Sequence, residues 1–217
     1  MSFAEPSRDC PLCPRLVGLR TELRAKFPAW SNAPVPSFGP IGAKLLIVGL
    51  APGLKGANRT GRPFTGDYAG DLLYATLKKF GLAKGEFVAD REDRAWIPDT
   101  LTLTGVRIAN AVRCLPPENK PTPKEAATCR PFLVAELADM KNLRAIVALG
   151  RVAHDAALAA LGRKASAAKF AHGAQHDLGG GRVLADSYHC SRYNTNTGRL
   201  TTEMFEAVFA ALVPKLG

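Results

Sequence analysis

The sequence predicts an α/β fold, a three-layer α/β/α sandwich around a central parallel sheet of four strands. Three observations carry this. Short apolar runs alternate with longer amphipathic stretches along the 217 residues. Two runs, "KLLIVGL" and "LRAIVALG", are continuously apolar, as parallel strands buried on both faces are. Glycine-rich or polar loops follow the runs, at the carboxyl edge where such sheets bind ligands.

The elements follow in order. The strands are expected at Lys44–Leu50, Val106–Val112, Leu143–Gly150 and Arg182–His189. Between the first two, "DYAGDLLYATLKKFGL" places Leu72, Leu73, Leu77 and Phe80 near one helical face, and Gly81 stops the helix. "TPKEAATCRPFLVAELADM" starts a helix with Thr122 as N-cap and Pro123 in the first turn; Pro131 is expected to kink or split it. "RVAHDAALAALG" is an alanine-rich helix ended by Gly162. "RLTTEMFEAVFAALV" sets Leu200, Met204, Val208 and Leu212 four residues apart. "FPAWSNAPVPSFGPIG" reads as an extended arm over the surface, and "GEFVADREDRAWIPDTLTLTG" as an irregular loop or hairpin. Neither marks a boundary, so residues 1–217 are expected to form one domain.

Lys and Arg exceed Asp and Glu, giving a net charge of +10. A polyanionic partner such as nucleic acid explains this; a soluble enzyme that happens to be basic remains open. The start, "MSFAEPSRDC", lacks the layout of a secretory signal, and no apolar run reaches the ~20 residues of a membrane helix. A cytoplasmic protein is expected, and five cysteines there are not expected to pair as disulfides.

The loop "GLAPGLKGANRTG" fits neither a Walker loop nor a dinucleotide fingerprint, because Gly-Lys-Ser/Thr and GxGxxG are both absent. Pro52 stiffens the backbone where a phosphate cradle needs free N–H groups. The loop suits a pocket for a flat, neutral group, or is a plain strand-to-helix turn. Cys10 and Cys13 form a C-x2-C pair, and Cys114 and Cys129 lie further on. By spacing, zinc and an iron–sulfur cluster are equally open, as are buried unligated cysteines. Cys190 stands outside this set.

Taken together and in order, "CPLC", "GLAPG", "GANRTGRPFTGD", "NAVRC" with its later cysteine, and "YHCSRYNTNTGRLT" resemble the uracil-DNA glycosylase superfamily over nearly the whole chain. The resemblance is greatest to its family 5, because the sister family 4 carries an acidic residue where Leu50 stands. It implies an α/β/α sandwich and a 4Fe-4S cluster held by Cys10, Cys13, Cys114 and Cys129, structural rather than redox-active. Two positions depart from the family pattern. His189-Cys190-Ser191 replaces the usual His-Pro-Ser, and Gly53 stands where alanine is common.

The resemblance further implies an enzyme that flips a nucleotide out of DNA and hydrolyses its N-glycosidic bond. Gly49, Leu50, Ala51 and Gly53 would shape the base pocket, and Phe64 would stack on the base, unless it is a core phenylalanine. Asn110 offers a donor and an acceptor to the O4 and N3–H edge of uracil, or caps a turn. His189 would hydrogen-bond O2 as charge develops there. Asp67 would orient or activate water, or stabilise the sugar cation, and also suits a helix N-cap. Ser191, Arg192, Tyr193 and Asn194 are expected at the DNA, with Asn58 and Arg59, which together with Thr60 also brace the pocket. Expected substrates are uracil and other deaminated bases such as hypoxanthine and xanthine, met by a monomer at the nucleoid. A binding protein that keeps the fold without turnover is the alternative; a generic zinc hydrolase lacks a GxSxG elbow.

Overall fold

The computed structural model describes residues 3–89 and 96–217. Its centre is a sheet of five strands in the order β4-β1-β5-β7-β6. β1 (Leu45–Gly49), β4 (Val106–Asn110), β5 (Ala145–Leu149) and β7 (Arg182–Ser187) run parallel and match the four expected strands. All residues of β1, β4 and β5 are buried, as their apolar runs require.

The expected count of four strands is corrected to five. β6 (Gln175–Gly179) joins β7 antiparallel at the sheet edge. Its sequence, "QHDLG", is polar and mostly solvent-facing, so it carries no apolar run to signal a strand. Gly180 and Gly181 both have positive φ and make the tight turn between β6 and β7. A separate two-stranded ribbon pairs β2 (Ala83–Lys84) with β3 (Thr102–Leu103). It closes the irregular stretch between them into a hairpin-like loop, of which residues 90–95 lie outside the described residues.

Seven α-helices are described: α1 (Pro14–Lys26), α2 (Ala57–Thr60), α3 (Ala69–Lys79), α4 (Pro123–Asp139), α5 (Arg151–Ala160), α6 (Arg192–Asn196) and α7 (Thr202–Leu212). α3 and α7 cover one sheet face through Leu73, Leu77, Phe205 and Phe209. α4 and α5 cover the other through Leu133, Ala153, Ala157 and Leu158. α4 begins with the expected N-cap, Thr122, which also forms a capping box: Thr122 and Glu125 each bond the other's backbone N–H. It runs through Pro131 as one helix and is not split. Pro131 and Ala127, whose carbonyl the proline leaves without a donor, are both exposed, so water can serve that group.

The proline-rich arm is inlaid rather than laid on the surface. Trp30, Ala33 and Val35 are buried, and Phe38 bridges Ile108 on β4. No helix among the described residues is long and apolar enough to cross a membrane.

The chain leaves β1 toward α3 on one face and leaves the adjacent β5 directly into α5 on the other. That divergence opens a crevice at the carboxyl ends of β1 and β5, where ligands bind in doubly wound sheets.

Candidate active site

The crevice is a cleft of about 670 Å³. Leu50, Ala51 and Gly53 line it from the β1 loop, Gly150 and Arg151 from the β5 loop, and His189 and Ser191 from the segment after β7. Asp67 lines it as well, just ahead of α3. The strand-end convergence expected for Asp67 and His189 is therefore present.

Asn110 and Phe64 are not among the residues lining the cleft; they meet at the end of β1, one residue before cleft-lining Leu50. Gly49 and Asn110 are register partners at the ends of β1 and β4. A methyl group on Gly49 would come within 2.4 Å of Oδ1 of Asn110 and 2.8 Å of Cζ of Phe64, so only glycine lets both side chains close over the strand end. Asn110 is almost wholly buried, and its side-chain amide takes no partner among the described residues. Phe64 is buried with φ of 55°, a left-handed backbone that tilts its ring onto His189. The two rings lie 5.8 Å apart, 26° from parallel.

His189 is half-buried in the cleft wall, its ring against Phe64. Burial lowers its pKa to about 4, so the imidazole is neutral near pH 7. Its Nδ1 is buried without a hydrogen-bond partner. Asn194 holds the segment by donating from Nδ2 to the carbonyl of His189 at 2.8 Å. Cys190, which follows, is fully buried in the core, and burial together with the Asp67 carboxylate pushes its thiol pKa up. The sulfur thus fills core space where the family pattern has a proline ring.

Asp67 is held between the start of α3 and the glycine loop. Oδ1 accepts from the N–H of Ala69 at 3.1 Å, which tethers it to the start of α3. Tyr68, not Asp67, takes the N-cap position. Oδ2 lies over the glycine loop: a methyl group would be 2.3 Å from it at Gly56 and 3.2 Å at Gly53. The glycines let the carboxylate rest on the loop backbone.

The residues expected at DNA divide into two groups. Asn58 and Arg59, each 2% exposed, point into the fold, which corrects their expected place at a DNA surface. Nδ2 of Asn58 donates to Oδ1 of Asn32, and Nε of Arg59 donates to the Lys55 carbonyl. Both lie on α2, one turn that is buried throughout, and they brace the loop. Ser191 caps α6 through a bond from the N–H of Asn194. Arg192 and Tyr193 are exposed, and the Arg192 guanidinium lies 4.3 Å from the ring centroid of Tyr68 across the cleft mouth. Sequence reasoning missed Tyr68, Gly56 and Arg151 in the cleft; the exposed aromatic beside Asp67 was the available signal for the first.

Cys10, Cys13, Cys114 and Cys129 line a second, small cavity with Leu16, Arg20 and Phe132. Burial first, and then the neighbouring Cys129, pushes the Cys13 thiol up, and burial pushes Cys114 up to about 12. No three of these sulfurs lie mutually within 4.8 Å. Arg20 is 6% exposed, with Nη2 donating to the Cys10 carbonyl at 3.0 Å and Nη1 3.8 Å from Sγ of Cys114. Its Nε is buried without a partner. The backbone of Arg113 donates to Sγ of Cys129, and its guanidinium pairs with buried Glu136 at 2.5 Å. A buried arginine beside four thiols needs an anion that neutral thiols do not supply.

Residues 36–213 match the family model described as the uracil DNA glycosylase superfamily. The chain is 47% identical over 210 residues to the Type-5 uracil-DNA glycosylase of Thermus thermophilus, covering 94% of this chain and 92% of that one. It is 41% identical over 204 residues to the Type-5 uracil-DNA glycosylase of Pyrobaculum aerophilum, covering 92% and 86%. Similarity to the Type-4 uracil-DNA glycosylase of Thermotoga maritima is 35% over 154 residues, covering 70% and 67%. The order agrees with Leu50 standing where family 4 has an acid.

Proposed function

The chain belongs to the uracil DNA glycosylase superfamily, and from that we propose how its cleft acts on DNA. It is a uracil-DNA glycosylase, a monofunctional hydrolase that removes uracil and leaves the sugar–phosphate backbone intact. The observation that carries the residue assignment is the meeting of Phe64 and Asn110 over Gly49, with His189 against the Phe64 ring and Asp67 over Gly53 and Gly56.

The uracil leaves the stack at a cost of a few kcal/mol, which binding in the cleft offsets. Its face stacks on Phe64. The amide of Asn110, which takes no partner among the described residues, donates to O4 and accepts from N3–H. As the N-glycosidic bond breaks, its electron pair moves onto the base and negative charge collects at O2. The neutral imidazole of His189 donates a hydrogen bond to that oxygen. The desolvated site strengthens this bond, and a lost donor of this kind costs ~10²–10³ in rate. Asp67 orients the water whose oxygen bonds to C1′ of the sugar and accepts the proton that water loses, which is then given to the departed base. With Leu50, Ala51 and Gly53 as its wall, the cleft has no polar side chain from the first motif to reject a larger base. That supports hypoxanthine and xanthine as further substrates.

Arg192 and Tyr193 face the DNA at the cleft mouth, and a net charge of +10 supports a salt-sensitive backbone interaction. The working unit is a monomer, acting at the nucleoid in the cytoplasm.

The four cysteines suit a 4Fe-4S cluster. A tetrahedral zinc, with Zn–S near 2.3 Å, draws its sulfurs to about 3.8 Å of one another. The wider spacing here suits a larger group, and four thiolates give Arg20 its missing counter-charge. When bound, the cluster serves as a structural cross-link joining the N-terminal segment to α4 and to the loop after β4.

Base excision on labelled oligonucleotides tests the proposal. Strands with one uracil, hypoxanthine or xanthine are incubated with the protein and cleaved by alkali at abasic sites. Cleavage by the parent and its loss in Asn110→Ala support the assignment; equal cleavage by both rejects Asn110 as the reading residue.

A further inference from the structure

Three polar side chains meet on the α5 side of the sheet, away from both the cleft and the cysteines. Asp186, inside β7, and His154, on α5, are fully buried. His176, on the neighbouring antiparallel β6, is partly exposed. Nδ1 of His154 lies 2.6 Å from Oδ1 of Asp186, and Nε2 of His176 lies 2.9 Å from Oδ2. Among the described residues, this is the one group of three or more His, Cys, Asp or Glu side chains whose ligand atoms all lie within 4.8 Å of one another.

The hydrogen-bond count at His154 is informative. Its Nε2 lies 3.1 Å from the carbonyl of Ala168, which only accepts. A neutral ring can donate to only one of these two acceptors; with its proton on Nε2, it turns the lone pair of Nδ1 toward Asp186. A lone pair facing a carboxylate at hydrogen-bond distance needs positive charge between them, either a second proton or a metal ion. An imidazole whose outer nitrogen donates to a backbone carbonyl is the usual arrangement of a metal-ligating histidine. Two imidazoles and one carboxylate suit a zinc-class ion, with a fourth position left for water.

We propose that His154, His176 and Asp186 bind a divalent zinc-class ion, at a site distinct from the four cysteines. The site fastens α5, β6 and β7 to one another. The segment before β6 closes over it: Phe170 sets its ring edge-on to His154, and the N–H of Ala171 donates to Oδ2 of Asp186. Tetrahedral bonds of about 2.0–2.2 Å to the ion require Nδ1 and Oδ1 to part from 2.6 Å by roughly three-quarters of an ångström. The ion does no chemistry on the base. It steadies β7, the strand that delivers His189 to the cleft.

The proposal stands independently of the glycosylase reading, because its readout is metal content. The full-length protein, with whatever its cysteines hold, is dialysed against Zn²⁺ and then against metal-free buffer, and zinc and iron are measured per chain. We expect one zinc in the parent that is absent from His176→Gln and Asp186→Asn, with iron unchanged. Zn²⁺, but not Mg²⁺, is expected to raise the Tm of the parent and leave that of His176→Gln unmoved. Zinc retained equally by parent and folded His176→Gln overturns the proposal. So does a parent that binds no zinc beyond its cysteine-held metal, whether or not the variants fold; the charge between His154 and Asp186 is then a proton.

Discussion

The ring of His189 lies 5.8 Å from the ring of Phe64, tilted 26° from parallel, although one follows β7 and the other the glycine loop after β1. The contact joins the stacking surface to the proposed hydrogen-bond donor. His189 keeps this place with Nδ1 buried and unpartnered, at a cost of about 1–3 kcal/mol.

The pH response of His189 follows from its burial. Its pKa falls from 6.5 to about 4 on folding. Between those values the unfolded chain binds the proton and the folded chain does not. The stability tied to its neutral ring is therefore complete above about pH 6.5 and is lost as pH falls toward about 4. Single-turnover excision of uracil should show no inflection from this residue between pH 6 and 7. An inflection there that disappears in His189→Gln would contradict a neutral buried ring.

The Asp67 carboxylate depends on the bare backbone beneath it. A methyl group on Gly56 would come 2.3 Å from Oδ2. Gly56→Ala should therefore displace the carboxylate and lower the single-turnover rate, with Asp67→Asn lowering it by ~10²-fold or more. Binding of uracil-containing DNA, measured by fluorescence anisotropy, should change little in either. Gly53→Ala leaves 3.2 Å and should cost less than Gly56→Ala.

Arg20 should matter to whatever the cysteines hold. Arg20→Met removes the guanidinium beside Cys114 and the bond to the Cys10 carbonyl. Iron and sulfide per chain should fall, or the visible absorption should bleach faster in air, with Arg20→Lys intermediate. Unchanged iron retention in Arg20→Met would separate this arginine from the cluster.

Glu136 carries the same site from behind. It is fully buried and pairs with both Arg107 and Arg113. Glu136→Gln leaves two buried guanidinium groups short of charge and should destabilise by about 3–5 kcal/mol in chemical denaturation. Arg192→Ala, by contrast, should leave stability unchanged, weaken DNA binding and reduce its salt dependence.

The sheet was legible because β1 and β5 are unbroken apolar runs, and because a run in a parallel sheet is buried on both faces. β6 was not, since an edge strand with one exposed face can be written in polar residues. The cleft was legible through strand ends, which gather distant residues by topology alone. Asn58 and Arg59 misled because a polar loop reads as surface, whereas α2 is tucked under the arm that carries Asn32. The trio of His154, His176 and Asp186 left only a faint trace, an aspartate within a buried strand and a histidine within an alanine-rich helix. Neither predicts that α5 and β7 set them face to face.

Single-turnover excision of uracil by the parent, Asn110→Ala and Asp67→Asn tests the central claim most directly. The account predicts rapid excision by the parent and losses of ~10²–10³-fold in both folded variants. A folded parent that binds uracil-containing DNA without excising the base, or variants that match the parent's rate, would contradict it.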